Sequence, residues 1–197
     1  MDPDTWIKLH PHVNDEIISW VPDGVMRHGD PLSGELITDK DHLMIMNAGK
    51  GFWHEEKTLE SDPPLRMLQI FVRPHTINLH PGIQHGALPA WKYNEWRQVF
   101  GPEGSGSHFY VRNEIEMYDL RVHEGETVTF PQKEGYDIFF FVFNGSVAVN
   151  EQTFESSKRG LLIEEAEAKL TAAEESLVVT FLIKPDAKIT KKGTIGR

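Results

Sequence analysis

The chain has 197 residues, of which 39% are hydrophobic and 25% are charged, a composition typical of a folded globular protein rather than a disordered one. The formal net charge of -10 disfavours nucleic acid and anionic membrane surfaces, so neither is expected as a partner. The absence of cysteine excludes disulfides, thiolate zinc sites and cysteine nucleophiles, and it agrees with a cytoplasmic location.

The first half of the chain is predicted to consist of short strands. The N-terminal segment is acidic and lacks an apolar run, so it does not resemble a signal peptide, and no stretch reaches the roughly 20 apolar residues of a membrane span. Residues 17–21, 43–46 and 65–72 are apolar runs that end at turn-forming residues, which predicts three strands. Residues 78–89 contain two prolines, two glycines and two histidines and are predicted to form a loop.

The second half continues the same pattern. The mixed composition of residues 91–100 indicates a short helix or an irregular crossing, and residues 101–107 are predicted to form a loop. Five further strands are predicted, at 115–122, 138–143, 146–149, 161–163 and 177–183, and Asn144-Gly145 is a hairpin signal. Residues 164–175 are predicted to form an acidic strand-and-loop surface, and the tail 184–197 to be ordered only in part.

Turn signals at intervals of about ten residues favour a sandwich or barrel of jelly-roll type. A weak internal repeat supports two such units. Glu16 precedes a glycine turn at Gly24 by eight positions, and Asp137 precedes Gly145 by the same distance.

Aligning the two halves on these glycines indicates that only the first is suited to bind a metal. The alignment places Pro131 where His10 stands and Lys133 where His12 stands, and it sets residues 172–174 roughly against the later residues His54 to Glu56. The second half therefore has no histidine at the corresponding positions.

Two short motifs provide the candidate chemistry, His10-Pro11-His12 and His54-Glu55-Glu56. On a β-strand, residues i and i+2 point to the same face. Two such strands side by side would direct three imidazoles and one carboxylate at a common point. This set suits one divalent transition metal such as iron(II), manganese, nickel, copper or zinc.

Several other polar residues have weaker predicted roles. His28 is expected to be structural. His75, His80 and His85 are expected to form a solvent-exposed cluster in a loop, and the alternative is that this loop lies at the rim of the metal pocket. Gln69 is a polar residue in an apolar strand, and its predicted direction is left open between the cavity and solvent.

The motifs together resemble a known family. A histidine pair, Glu16 four residues on and the turn at Gly24 form the first half of a cupin signature, and Gly51-Phe52-Trp53-His54 supplies the second half. In order and spacing, residues 8–84 resemble the pirin family. Its members have a two-cupin fold with a metal in the N-terminal barrel only, and they include iron-binding nuclear proteins and bacterial proteins with quercetin dioxygenase activity.

The resemblance implies an all-β chain of two cupin-type (jelly-roll) β-barrels packed in tandem. It implies a metal-binding cupin at 1–98 and a degenerate cupin without metal ligands at 107–197. It assigns the metal, with iron(II) favoured, to His10, His12, His54 and Glu56. Glu16 is the alternative carboxylate, because other cupins use that position, and it is otherwise expected behind the ligands or as a proton acceptor.

The sequence departs from the family pattern in three places. Val13 stands where members have a basic residue, Pro22-Asp23 replaces a leucine and an acid before the glycine turn, and nine residues precede the histidine pair where members have some tens. The last difference predicts a truncated N-terminal barrel with an open edge, covered by the C-terminal tail or by another subunit in a homodimer.

Two classes of function follow from the resemblance. The first is a quercetin 2,3-dioxygenase-type enzyme in which Glu56 or Glu16 accepts the hydroxyl proton of a flavonol-like substrate. The second is a non-catalytic metal-binding protein with a regulatory or interaction role. Fold analogy alone does not choose between them.

Overall fold

The computed structural model describes residues 1–165 and 167–195. These residues form 18 strands and no helix, which confirms the predicted all-β class. It follows that no helix among them has the length and hydropathy needed to cross a membrane. The chain divides into two compact units, and the predicted domain limits of 1–98 and 107–197 stay a prediction.

Unit 1 comprises residues 1–88, residues 111–113 and the C-terminal segment from Lys188. Its strands are β1 (Trp6–His12), β2 (Glu16–Asp23), β3 (Met26–Asp30), β4 (Gly34–Thr38), β5 (His42–Asn47), β6 (Phe52–Lys57), β7 (Arg66–Val72) and β8 (Gly82–Ala87). They form two four-stranded sheets with the orders β1-β6-β3-β4 and β7-β2-β5-β8.

The burial pattern of unit 1 determines which side chains face its interior. β2 and β5 are central in their sheet and buried over almost their whole length. In β6 burial alternates, so Phe52, His54 and Glu56 are buried while Trp53 is exposed. Polar side chains at His54 and Glu56 therefore occupy interior positions beside an apolar core that includes Ile17, Met46, Ala48 and Phe52.

Unit 2 comprises residues 89–110 and 114–187. The remaining strands are β9 (Arg97–Pro102), β10 (Tyr110–Val111), β11 (Ile115–Val122), β12 (Thr127–Thr129), β13 (Asp137–Asn144), β14 (Ser146–Val149), β15 (Gln152–Glu155), β16 (Arg159–Leu162), β17 (Lys169–Ala172) and β18 (Ser176–Ile183). Their sheet orders are β12-β17-β14-β15 and β10-β9-β11-β18-β13-β16.

The strand orders of the two units repeat. The sheet β1-β6-β3-β4 corresponds to β12-β17-β14-β15, and β7-β2-β5 corresponds to β18-β13-β16. Gly24 and Gly145 occupy equivalent turns, with φ of +91° and +84°. A Cβ on either would lie 2.6 Å from a backbone oxygen, that of Pro64 or of Glu175, so both turns require glycine. The predicted repeat is therefore present in the fold.

Strand pairing corrects the sequence register between the two units. His28 pairs with Glu56 in unit 1, and Val149 pairs with Leu170 in unit 2. Two residues before Leu170, the carbonyl of Ala168 accepts a hydrogen bond from Phe130. Leu170, Ala168 and Phe130 therefore correspond to Glu56, His54 and His10.

The predicted equivalents Pro131, Lys133 and residues 172–174 were wrong because the connections differ in length between the units. Phe130 is seven residues before Asp137, whereas His10 is six before Glu16. The corrected equivalents Phe130, Ala168 and Leu170 all lie in the apolar core of unit 2. Apolar side chains therefore fill the interior of unit 2 at the positions where unit 1 has its proposed ligands.

Three local predictions need correction or refinement. The predicted loop 78–89 contains β8, which pairs with β5 along its length. No helix forms at 91–100, where β9 begins at Arg97. In the predicted acidic surface 164–175, β17 provides the strand, and Ala166 lies outside the described residues.

The C-terminal tail contacts the connection between β1 and β2. The N–H of Thr194 donates to the carbonyl of Val13 at 3.0 Å, and the N–H of Val13 donates to Thr194 Oγ1 at 2.7 Å. The buried carboxylate of Asp15 also accepts the N–H groups of Thr194 and Ile195. β1 lies at one end of its sheet, and the predicted truncation of the barrel stays a prediction.

Candidate metal centre

The two sequence motifs meet on neighbouring strands. β1 and β6 are antiparallel, and His10 lies directly opposite His54. The ring centroids of His10 and His54 are 4.4 Å apart, and His12 lies 5.1 Å from each of them. Each of the three imidazoles can offer one nitrogen such that the three nitrogens lie within 4.8 Å of one another. The i, i+2 spacing therefore produces the predicted triad.

The environment of these imidazoles fits a metal ion. His12 is 6% exposed and His54 is 0% exposed, while His10 is half-buried. His54 Nε2 and His12 Nδ1 are buried nitrogens with no hydrogen-bond partner. An unpaired buried polar atom is costly unless something binds it. Imidazole nitrogens with this arrangement suit a first-row transition metal.

Glu56 supplies a carboxylate beside the same cluster. It is 3% exposed, and its Oε1 lies 3.9 Å from His54 Nδ1. Together with His28 and His54 it forms a second group whose potential ligand atoms lie within 4.8 Å. Gln69 Nε2 donates a 2.8 Å hydrogen bond to Glu56 Oε1, which fixes the direction of Gln69 that the sequence left open. His54 is the residue common to the two groups.

Burial controls the protonation of the cluster. It lowers the pKa of His54 to about 3, with a further contribution from the neighbouring His10, His28 and His12. Burial also lowers the pKa of His12 and raises the pKa of Glu56. His54 and His12 are therefore neutral at pH 7, which is the form that binds metals.

We expect the metal-free protein to lose stability as the pH falls below about 6.5, the ordinary pKa of histidine. The unfolded chain takes up a proton on His54 there, whereas the folded chain does so only near its pKa of about 3. The slope contributed by one such group is on the order of 1 kcal/mol per pH unit. Denaturant unfolding at pH 7.5 and 5.5, with EDTA present, measures it.

His12 and His28 have lowered pKa values and add to this slope with the same sign. The raised pKa of Glu56 acts in the opposite direction, because the folded state takes up that proton first. The variant His54→Gln should flatten the slope. Equal slopes in the variant and the wild type would contradict the assignment.

Glu16 is buried and hydrogen-bonded to Arg112. It is 0% exposed, and its two oxygens accept hydrogen bonds from the N–H of Arg112 at 2.6 Å and from Arg112 Nη1 at 3.0 Å. It belongs to neither of the two ligand groups found among the described residues. Its carboxylate holds the segment 111–113 within unit 1, and its role as an alternative ligand or proton acceptor stays a prediction.

Sequence reasoning missed the connection of His28 to the cluster. His28 Nδ1 is 3.3 Å from His54 Nδ1, and His28 Nε2 is 3.0 Å from Asp30 Oδ2. The signal in the sequence was the spacing itself, because His28-Gly29-Asp30 is a third i, i+2 pair of polar residues on a strand. His28 was expected only to be structural.

The other histidines lie outside both groups found among the described residues. His75 and His80 are exposed, as predicted. His85 differs from the predicted loop cluster, since it lies on β8, donates to the carbonyl of Ile37 and stacks on His42.

Comparison with known proteins places this geometry in context. Residues 4–72 match the Pirin family, and residues 98–183 match the family described as quercetinase C-terminal cupin domain. A pirin-like protein of Caulobacter vibrioides is 26% identical over 192 residues, covering 90% of this chain and 77% of the relative. Quercetin 2,3-dioxygenase of Escherichia coli K12 is 23% identical over 176 residues, covering 89% and 75%.

Solved structures agree in fold. The bacterial pirin YhhW of Escherichia coli, in complex with nickel(II), has a TM-score of 0.80 at 23% identity, covering 94% of this chain and 79% of that one. A quercetin 2,3-dioxygenase of Acinetobacter baumannii has a TM-score of 0.82 at 20% identity, covering 93% and 65%.

Two repeated jelly-roll units, one with a histidine cluster and one with an apolar interior, define a protein of the two-cupin class. Within that class the chain belongs to the pirin family. Its N-terminal motifs were the basis of the predicted resemblance, which is confirmed.

Proposed function

We propose that the chain binds one divalent transition metal through His10, His12, His54 and Glu56 and catalyses a quercetin 2,3-dioxygenase-type reaction. The observation that supports the proposal most is the buried, unpaired His54 Nε2 within a cluster of three imidazoles. The relatives named quercetin 2,3-dioxygenase support the substrate class, a flavonol-like enediol. Iron(II) is the proposed metal, and nickel(II) is the alternative, because the related YhhW structure is a complex with nickel(II).

The chain's own residues would hold and deprotonate the substrate. When bound, the metal supplies Lewis acidity and a template for the reactants. Glu56 is the proposed proton acceptor, because burial raises its pKa and makes the carboxylate a stronger base. Both oxygens of Glu16 already accept hydrogen bonds from Arg112, which leaves Glu16 less suited to that task.

The residues Gln69 and Phe71 offer a route to this site. They lie two positions apart on β7, and both are exposed. Gln69 bonds to Glu56, and the ring of Phe71 lies 6.0 Å from that of His12. A planar aromatic substrate could stack on Phe71 while its hydroxyl group approaches Glu56.

Oxygen uptake tests the proposal. We expect protein loaded with iron(II) or nickel(II) to consume oxygen with quercetin. A flavone that lacks the 3-hydroxyl group should not support oxygen uptake, because Glu56 would have no 3-hydroxyl proton to accept. The variant Glu56→Gln should lose this activity. Absence of turnover with iron, nickel, manganese, copper and zinc would overturn the enzymatic assignment. Stoichiometric metal binding in that case would support the regulatory alternative.

A further inference from the structure

A chain of buried polar side chains leads away from His54. His54 Nδ1 lies 3.3 Å from His28 Nδ1, and His28 Nε2 lies 3.0 Å from Asp30 Oδ2. The other oxygen of Asp30 accepts the N–H groups of Leu32 at 2.6 Å and Ser33 at 2.7 Å. His28 is 1% exposed and Asp30 is 8% exposed, so protein atoms supply these contacts.

The direction of each hydrogen bond follows from the chemistry of the groups. A carboxylate only accepts, so the hydrogen between Asp30 and His28 is on His28 Nε2. A neutral imidazole with hydrogen on Nε2 has its lone pair on Nδ1. The hydrogen shared by the two imidazoles therefore belongs to His54 Nδ1, and the lone pair of His54 is on Nε2. That nitrogen is the buried one without a partner.

We propose that Asp30 and His28 are positioning residues that set the tautomer of His54 and so present Nε2 to the metal. The proposal rests on the metal site assigned above and extends it to two residues that are not ligands. Residues behind metal ligands commonly fix the ring and tautomer of a histidine in this way.

The other two imidazoles are held differently. His10 Nδ1 donates to the carbonyl of Lys8 at 2.8 Å, so a local backbone contact leaves its Nε2 free. His12 Nδ1 has no hydrogen-bond partner, and the nearest carboxylate oxygen, Asp15 Oδ2, is 3.9 Å away. His54 is thus the ligand of the triad whose tautomer is set by other side chains.

The variant Asp30→Asn tests the proposal because it should reverse each hydrogen bond. The asparagine oxygen should keep the N–H groups of Leu32 and Ser33, which turns its NH₂ group toward His28. His28 would then accept through Nε2 and donate through Nδ1, and the hydrogen of His54 would move to Nε2. A comparable Asp→Asn change in the Ser-His-Asp triad of serine proteases reverses the hydrogen bond to the histidine and stabilises its wrong tautomer.

Two measurements follow. Nitrogen NMR of histidine-labelled, metal-free protein should show His54 protonated on Nδ1 in the wild type and on Nε2 in Asp30→Asn, with the signal assigned from a His54→Gln spectrum. Calorimetric titration with nickel(II) should show an affinity about 10–100-fold lower in Asp30→Asn. A wild-type His54 protonated on Nε2, or an unchanged tautomer and affinity in the variant, would overturn the proposal.

Control variants separate positioning from folding. Asp62 is also 8% exposed and accepts hydrogen bonds from Arg27 and from the N–H of Leu59, so Asp62→Asn is a matched change away from the cluster. It should lower stability but leave the His54 tautomer and nickel affinity unchanged. His28→Asn, which keeps an acceptor near the position of Nδ1, should retain more affinity than His28→Leu.

The test also distinguishes this proposal from the proposed function. If the wild type binds neither iron(II) nor nickel(II), the metal site fails, whereas the tautomer relay is still decided by the spectra of the metal-free protein. If a metal binds and none of the five metals supports turnover of quercetin, only the enzymatic assignment fails.

Discussion

His54→Ala is expected to lower the affinity for nickel(II) or iron(II) by more than about 100-fold. This loss is larger than the loss of about 10–100-fold that is usual when a residue that orients a metal ligand is removed. His54 is one of the four proposed ligands and the residue common to both groups of potential ligands, so its removal disrupts both groups. It is also 0% exposed, which prevents water or a surface side chain from replacing it easily. Calorimetric titration of the metal-free protein measures the effect, and oxygen uptake with quercetin should be lost in parallel.

His80→Ala is the matched control for this prediction. His80 is exposed, and its Nδ1 bonds to the carbonyl of the next residue, Pro81, in its own loop. It should bind metal as the wild type does. Deleting the buried imidazole of His54 also leaves a cavity, so the fold of the variant needs a separate check. Circular dichroism should show that both variants keep their strands. Wild-type affinity in a folded His54→Ala protein would exclude the cluster as the metal site.

The core of this site could be predicted because it depends on strand periodicity. His10 and His12, like His54 and Glu56, are two positions apart, and a β-strand turns such pairs to one face whatever surrounds them. The pairing of β1 with β6 then places His10 opposite His54. Local spacing was therefore sufficient for the triad of imidazoles.

Contacts between distant positions could not be predicted in the same way. Arg112 binds Glu16 across 96 positions of sequence, and no local pattern indicates that pairing. β8 is a strand because it hydrogen-bonds to the buried β5, although its own sequence is rich in glycine and would favour a loop. The equivalence of Phe130 and His10 was missed for a related reason, since a single added residue between strands shifts the register.

Phe140→Ala is expected to destabilise unit 2 by about 3–5 kcal/mol, the usual cost of removing a buried phenylalanine. Phe140 is 0% exposed, and its ring lies 5.4 Å from that of Phe130 and 4.9 Å from that of Phe154. It also covers Gly160, its partner on β16, where an added Cβ would lie 2.4 Å from the ring. Denaturant unfolding followed by fluorescence measures the change.

Phe139→Ala is the matched comparison, because Phe139 is the neighbouring residue on the same strand but is only half-buried on the opposite face. Its ring contacts Phe181 at a centroid distance of 6.0 Å, and we expect less than half the loss of stability. Phe130 of unit 2 corresponds to His10 of unit 1. The rings of Phe130 and Phe140 therefore fill the part of unit 2 that corresponds to the imidazole cluster of unit 1. If Phe140→Ala loses no more stability than Phe139→Ala, unit 2 encloses a cavity instead of a packed core. If Phe140→Ala loses far more stability than Phe139→Ala, the stability of unit 2 depends on the side chains that fill its interior.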